Sequence, residues 1–217
     1  RDPHLVRLLR RRHPEPTPAA PTSYPPVAVL YPTRNAFREE AAASCVPLDY
    51  PAHHLFILDD STLDEWRRRI DRLAKSQADR VTVIRRTTHC GFKAGNLNHA
   101  LHQLKNRYPF FVICDADGIL PKEFIAALLP YFDAEPRLAF VQARQAASPR
   151  QPESFGRSLG PMTDLHYRTY VGPRARCGFL MFYGHGALLR TSAWEAAGGF
   201  PELVTEEMAS GGGSAEE

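Results

Sequence analysis

Two pairs of carboxylates stand where apolar segments of the sequence end. Asp59 and Asp60 follow the stretch HLFIL, and Asp115 and Asp117 follow FFVIC. Carboxylates that a fold brings close together are unstable unless a positive group joins them. A hard divalent cation such as Mg or Mn meets that need with oxygen ligands, often one or two carboxylates and substrate phosphates. Loop aspartates also cap helices or form turns, but two such pairs favour a metal site over that alternative.

A lysine and the start of a helix lie between the two acidic pairs. GFKAGNLNHAL places Lys93 just after Gly91, where a helix over 93–106 is predicted. The free amides of a helix N-terminus and a lysine together attract phosphate. An isolated KAG would be read as a surface lysine, but this position between acidic strand ends favours phosphate binding.

The elements that must position these side chains alternate between strands and helices. This alternation with short links predicts an α/β fold, with a mostly parallel central sheet covered by helices on both faces. In such a sheet ligands bind beyond the carboxyl ends of the strands, where both acidic pairs are expected. Hydrophobic patterning predicts strands at 27–31, 54–58, 81–84, 110–114, 138–143 and 186–190, and helices at 36–46, 63–75, 93–106, 121–132 and 191–200.

Local signals mark two of the helix starts. Thr62 and Glu65 have the spacing of a capping box, which predicts a side-chain cap for the second helix. Pro121 stands where the first residue of the fourth helix is expected.

Composition fits one folded domain with unstructured flanks. The 217 residues are 43% hydrophobic, which is enough for one large core. We expect a basic arm and proline-rich linker over 1–26, the domain over 27–207 and a flexible tail over 208–217. The arm is either solvated or faces anionic lipid. The chain begins without Met and ends in a linker-like SGGGSAEE, so a fragment of a longer protein is expected.

Several function classes are disfavoured by composition. The net charge of +3 is too small to imply nucleic acid, and the basic residues form no interleaved aromatic surface. Four cysteines without a CxxC pair indicate reduced thiols in the cytosol. Neither GxGxxG nor GxxxxGK[ST] is present, which argues against a Rossmann dehydrogenase or a P-loop enzyme.

The motifs in their order resemble a known family. YPTRNA, FILDDS, FKAGNLNHAL, ICDADGILP, VQARQ and GHGALLRTSAWEAAGGFPELVTEE follow one another between residues 31 and 207. This order resembles the catalytic domain of family 2 glycosyltransferases with the GT-A fold, on the cellulose-synthase-like branch. The resemblance covers 27–207. DAD alone is a weak motif, whereas its combination with KAGNLN and GGFPELVTEE is specific.

The resemblance implies a nucleotide-sugar site that uses a UDP-sugar donor and Mg or Mn. Pro32 and Thr33 would lie beside the uracil, Asp59 or Asp60 would contact the nucleoside, and Lys93 would contact the diphosphate. The nucleotide-sugar contacts it implies are Pro32, Thr33, Asp59, Asp60, Lys93, Asn96 and Asp115, with Asp115 and Asp117 at the metal.

The catalytic base is expected at the end of the resemblance. The family places an Asp in a TED-like motif, and the matching residues here are Thr205, Glu206 and Glu207. Glu207 is therefore the expected base, one methylene longer than Asp, and Glu206 is its neighbour to test. The alternative is that both glutamates are solvated residues of a tail.

The resemblance implies inverting transfer of a hexose to a growing β-linked polysaccharide or glycan acceptor. The full-length enzyme would associate with the inner membrane, with its catalytic domain at the cytoplasmic face. Two alternatives stay open: a non-processive enzyme that adds one sugar to a lipid or oligosaccharide, and a catalytically silent UDP-binding fragment. The segment GFLMFYGHG, with His185 between glycines, is either at the acceptor end of the pocket or a buried strand and turn.

Overall fold

A six-stranded sheet in the order β3-β2-β1-β4-β6-β5 forms the centre of the molecule. The structure is a computed structural model that describes residues 23–145, 160–163, 165–176 and 180–202. The strands are β1 (Val27–Thr33), β2 (His53–Asp59), β3 (Val81–Ile84), β4 (Phe110–Ile113), β5 (Phe140–Gln142) and β6 (Ala187–Arg190).

The sheet is mostly parallel, as the sequence predicts. Strands β1 to β4 pair in parallel, whereas β6 runs antiparallel between β4 and β5. The carboxyl ends of β1, β2 and β4 therefore meet at one edge, and Thr33 lies beside Asp59 in the ladder. This register brings both predicted acidic pairs to the same edge of the sheet.

Helices cover both faces of the sheet, and all seven residues of β1 are buried. Alternate β1 side chains enter two hydrophobic clusters, with Tyr31 in one and Leu30 in the other. The helices in the described part of the chain include α1 (Glu39–Ser44), α2 (Asp64–Ser76), α3 (Phe92–Leu104), α4 (Phe124–Leu128), α5 (Pro130–Ala134), α6 (Gly172–Arg176) and α7 (Thr191–Ala196), and a π-helical turn at Tyr167–Val171 precedes α6.

The predicted capping box of α2 is wrong. The N-cap position is Leu63, and neither Thr62 nor Glu65 provides a side-chain cap. Instead, Oδ1 of Asn35 accepts hydrogen bonds from the backbone N–H groups of Thr62 at 3.0 Å and Leu63 at 3.2 Å. A residue from the loop after β1 thus replaces the local motif.

The predicted helix over 121–132 is also corrected. Pro121 is not the first residue of a helix. Its carbonyl accepts the N–H of Phe124, and α4 begins only at Phe124. The rest divides into α4 and α5 at Pro130, because proline has no N–H to continue the helical ladder.

None of the helices within the described residues is long and apolar enough to cross a membrane. Residues 1–22 and 203–217 lie outside the described part of the chain, as do Glu206 and Glu207. The domain boundaries at 26 and 207 therefore stay predictions.

Candidate functional site

A cavity of about 460 Å³ opens at the carboxyl edge of the sheet. It brings together most of the residues that the sequence singled out, whereas Asp59 does not line it. The lining residues are Pro32, Thr33, Arg34, Ala36, Arg38, Asp60, Phe92, Lys93, Asn96, Asp115, Ala116 and Asp117.

Two side chains contact the carboxylate of Asp115. Lys93 Nζ donates to Oδ1, and His185 Nδ1 lies 2.7 Å from Oδ2. Burial alone would raise the pKa of the Asp115 carboxyl, but the hydrogen bond from His185 and the charge of Lys93 outweigh it and lower that pKa. Asp115 is therefore an anion at neutral pH. Asp117 also lines the cavity and is exposed to solvent.

The start of α3 brings Lys93 to the cavity. Gly91 and Phe92 both have left-handed backbones, with φ of 72° and 49°, and this tight entry places Lys93 in the first turn. Asn96 lies one turn further on, where its Nδ2 donates to the carbonyl of Leu58 at 3.0 Å. The helix is thus fixed to β2 by the same residue that lines the cavity.

Asp60 forms a buried ion pair with Arg86, a residue that the sequence analysis missed. The shortest contact is 2.6 Å, and the two side chains are 7% and 6% exposed. Arg86 also donates to the carbonyls of Cys90 at 2.5 Å and Phe92 at 3.0 Å. It therefore joins the end of β2 to the entry of α3. The signal in the sequence was an arginine pair directly after β3, whose carboxyl end lies at the same sheet edge.

Asp59 lies behind the cavity wall. Its Oδ2 accepts from Arg85 Nε at 2.7 Å, and its Oδ1 accepts the backbone N–H of Ser61 at 2.9 Å. Of the two aspartates considered for the nucleoside, the structure therefore places Asp60 in the cavity wall and Asp59 in the support behind it.

Thr33 carries an unsatisfied polar atom in the cavity wall. The residue is 5% exposed, and its Oγ1 has no hydrogen-bond partner among the described residues. A buried hydroxyl left unpaired costs about 1–3 kcal/mol. A ligand that bonds this hydroxyl would recover that free energy.

Two exposed arginines, Arg34 and Arg38, also line the cavity and were not singled out from the sequence. Arg34 directly follows β1, so the strand-exit rule that found the aspartates could have found it. With Lys93, they give the cavity three cationic side chains, which suits an anionic ligand.

The cavity provides ligand types that fit a hard divalent cation. Among the described residues, no group of three or more His, Cys, Asp or Glu side chains could hold a metal ion by itself. Asp115 and Asp117 provide carboxylate oxygens, and Mg or Mn commonly completes such a pair with substrate phosphate oxygens and water. The donor set fits a cation that binds together with a phosphate-bearing ligand.

The fold has counterparts among solved structures. S. aureus TarS in complex with UDP superposes with a TM-score of 0.56 over 82% of this chain and 50% of that chain, at 18% identity. At that identity the likeness shows the fold alone, which is the GT-A fold of glycosyltransferases.

The sequence comparisons give the family. The model of glycosyl transferase family 2 matches residues 29–196. Glucans biosynthesis glucosyltransferase H of Cereibacter sphaeroides is 32% identical over 69% of this chain, and cellulose synthase 2 of Novacetimonas hansenii is 31% identical over 90%. The chain spans 26% and 12% of the lengths of these relatives. It belongs to glycosyl transferase family 2, on the cellulose-synthase-like branch.

Proposed function

We propose that this domain transfers a hexose from a UDP-sugar to a glycan acceptor, with inversion at the anomeric carbon and with Mg or Mn. The observation that carries the proposal is the cavity itself. It places Lys93, Asp115 and Asp117 beside the unpaired hydroxyl of Thr33 at the carboxyl edge of the sheet. The names of the two relatives support a glucan or cellulose acceptor, and TarS with bound UDP supports the nucleotide.

In this proposal, different lining residues bind different parts of the donor. Pro32, Thr33 and Asp60 contact the uridine, and Lys93 binds the diphosphate. Asp115 and Asp117 would hold the cation, whose charge would stabilise the negative charge that develops on the leaving UDP. The proposed phosphate-binding lysine is adjacent to one of the proposed cation ligands, since Lys93 donates to Asp115.

The transfer itself makes one bond and breaks one. An acceptor hydroxyl oxygen bonds to the anomeric carbon while the bond from that carbon to the UDP oxygen breaks, and a carboxylate takes the hydroxyl proton. We assign this carboxylate to Glu207, with Glu206 as the alternative; both lie outside the described residues. Polymerisation and membrane association stay predictions that rest on the resemblance and the basic arm.

Titration of UDP into the purified chain, with and without Mn, tests the proposal. We expect Mn-dependent binding of UDP that Lys93→Ala and Asp117→Asn each weaken at least about tenfold. The first removes the ammonium group proposed to bind the diphosphate, and the second removes a carboxylate proposed to bind the cation. Lys122→Ala and Asp64→Asn are matched controls, since they make the same changes on exposed residues outside the cavity. Absence of binding in every metal condition, or equal binding by all variants, would contradict the proposal.

A second candidate, a UDP-binding domain without turnover, is favoured by Glu207 at a position where the family has Asp. UDP release from a panel of UDP-sugars with glucan oligosaccharides distinguishes the two. Turnover that is lost in Glu207→Gln but kept in Glu206→Gln supports the enzyme and its base. Binding without any turnover, also after Glu207→Asp, supports the silent domain.

A further inference from the structure

His185 lies against Asp115, although nothing in the sequence pattern joined these two residues. Nδ1 of His185 is 2.7 Å from Oδ2 of Asp115. The side chains of both residues are largely withdrawn from solvent, with 35% and 26% exposure. The imidazole therefore occupies one of the two oxygens of a carboxylate that the proposed function gives to the cation.

The turn that carries His185 is fixed to the sheet. Gly184 and Gly186 flank the histidine with φ of 80° and 62°, a left-handed backbone that glycine adopts without strain. The N–H of Gly186 donates at 2.9 Å to the carbonyl of Ile113, the last residue of β4. The histidine and the aspartate that it contacts are thus attached to the same strand end.

Gln142, at the end of β5, holds this turn from the other side. Its Nε2 donates to the carbonyls of His185 and Gly186, each at 3.0 Å, and its Oε1 accepts the N–H of Tyr183 at 3.2 Å. The amide therefore bonds the turn on both sides of the histidine, and the imidazole is presented from a rigid backbone.

Gln145 and the Asp115 carboxylate favour the same tautomer of the His185 ring. Nε2 of Gln145 lies 2.5 Å from Nε2 of His185. An amide nitrogen only donates, so this ring nitrogen must accept. The neutral ring then carries its proton on Nδ1, from which it donates to Asp115. Gln145, His185 and Asp115 form one directed chain of hydrogen bonds.

The other oxygen of Asp115 is bonded to a group that has another task in the proposed function. Lys93 donates to Oδ1, and a diphosphate would compete for the same ammonium group. If a phosphate bonded Lys93 instead, Oδ1 would be available to a cation while Oδ2 kept its contact with His185. The histidine would then fix the rotation of the carboxylate after Lys93 has left it.

We propose that His185 is a positioning residue that orients Asp115 for the divalent cation, and that Gln145 supports its ring in the tautomer that donates to Asp115. The inference rests on the proposed function, since it concerns the same nucleotide and cation site. Hydrogen-bond partners of metal ligands typically contribute 10- to 100-fold to metal affinity, which sets the size of the expected effect.

Titration of Mn into the UDP-saturated chain, followed by the electron paramagnetic resonance signal of free Mn, measures this effect directly. We expect His185→Ala to weaken Mn binding about tenfold or more. His185→Asn should restore most of it, because the amide nitrogen of asparagine occupies the place of Nδ1. His99→Ala is the matched control, since His99 bonds Gln103 on α3 and does not line the cavity. Melting temperatures verify that each variant is folded.

The tautomer provides a second measurement, which needs neither turnover nor a variant. Long-range ¹H–¹⁵N spectra of the ligand-free chain should show His185 with its proton on Nδ1. An Nε2–H tautomer in the wild type, or Mn affinity unchanged in a folded His185→Ala, overturns the inference. Failure of the proposed function looks different, because the wild type itself would then bind no UDP.

Discussion

Three of the four aspartates at the sheet edge pair with cationic side chains of the protein itself. Arg85 pairs with Asp59 and Arg86 with Asp60, while Lys93 pairs with Asp115. The electrostatic need that suggested a metal is thus met at the first acidic pair by arginine. Only at the second pair does an exposed carboxylate, Asp117, stay available to a cation and its phosphate ligands.

At the residue scale, Gly95 of the KAGNLN motif is predicted to tolerate no side chain. A Cβ at Gly95 would lie 2.2 Å from the carbonyl oxygen of Cys90 and 2.9 Å from Nη1 of Arg86. Gly95→Ala must therefore displace backbone at the entry of α3. We expect a loss of about 1–3 kcal/mol in the free energy of unfolding, measured by urea denaturation.

Gly172→Ala is the control for this prediction. It makes the same change in helix α6, where the nearest atom to the new Cβ is the carbonyl oxygen of Tyr167 at 3.2 Å. We expect little loss there, because alanine is the better helix former by up to about 1 kcal/mol. If Gly95→Ala were as stable as Gly172→Ala, close packing would not explain the glycine.

At the scale of elements, α3 is the helix that joins the parts of the site. Its first turn carries Lys93 and its second carries Asn96, which bonds β2. Further along, Oδ1 of Asn98 accepts from Phe200 and Trp194, and its Nδ2 donates to Phe200 and Glu202. One helix therefore fixes both the part of the cavity that Lys93 and Asn96 line and the last described residues of the chain.

The cap of α2 gives a prediction at the same scale. Asn35 has a left-handed backbone with φ of 52° and accepts two N–H groups at the start of this helix. Asn35→Ala should lower the free energy of unfolding by about 1–2 kcal/mol, since the cap is lost and the backbone is strained.

Two further variants separate this cap from the capping box that the sequence suggested. Asn35→Asp keeps both the acceptor oxygen and a tolerance for left-handed backbone, so it should cost much less than Asn35→Ala. Glu65→Ala should change stability little, because the glutamate caps nothing in the structure. A larger loss of unfolding free energy in Glu65→Ala than in Asn35→Ala, measured by urea denaturation, would support the local capping box instead.

At the scale of the whole molecule, the sheet connects the ligand site to the core. The two hydrophobic clusters lie on opposite faces of β1, β2 and β4 and share these strands. The carboxyl ends of the same strands form the cavity edge. We therefore expect the domain to unfold as one unit and ligand binding to stabilise all of it.

Thermal unfolding tests this expectation. UDP with Mn at 100 times the dissociation constant adds about 2.7 kcal/mol to stability, which should raise the Tm by roughly 5 to 10 °C for a domain of this size. Circular dichroism in the far and near ultraviolet should report the same shift. Two separate transitions, of which only one moves with ligand, would show that the site and the core are independent.

The sequence by itself determined the strands, the order of the elements and the edge at which the site lies. These features follow from local patterns, since an apolar run predicts a buried strand and parallel strands share their carboxyl edge. The positions of Lys93, Asp60, Asp115 and Asp117 in one cavity were predictable for that reason. The roles of Glu206 and Glu207 stay predictions.

Only the tertiary structure decided which group each polar side chain bonds. Asn35 in place of the capping box, Arg86 on Asp60 and His185 on Asp115 are contacts between residues distant in sequence. Each depends on side-chain distances of about 3 Å. A hydrophobic period of two or 3.6 residues fixes a strand or helix, but it does not contain these distances, because packing of whole elements against one another sets them.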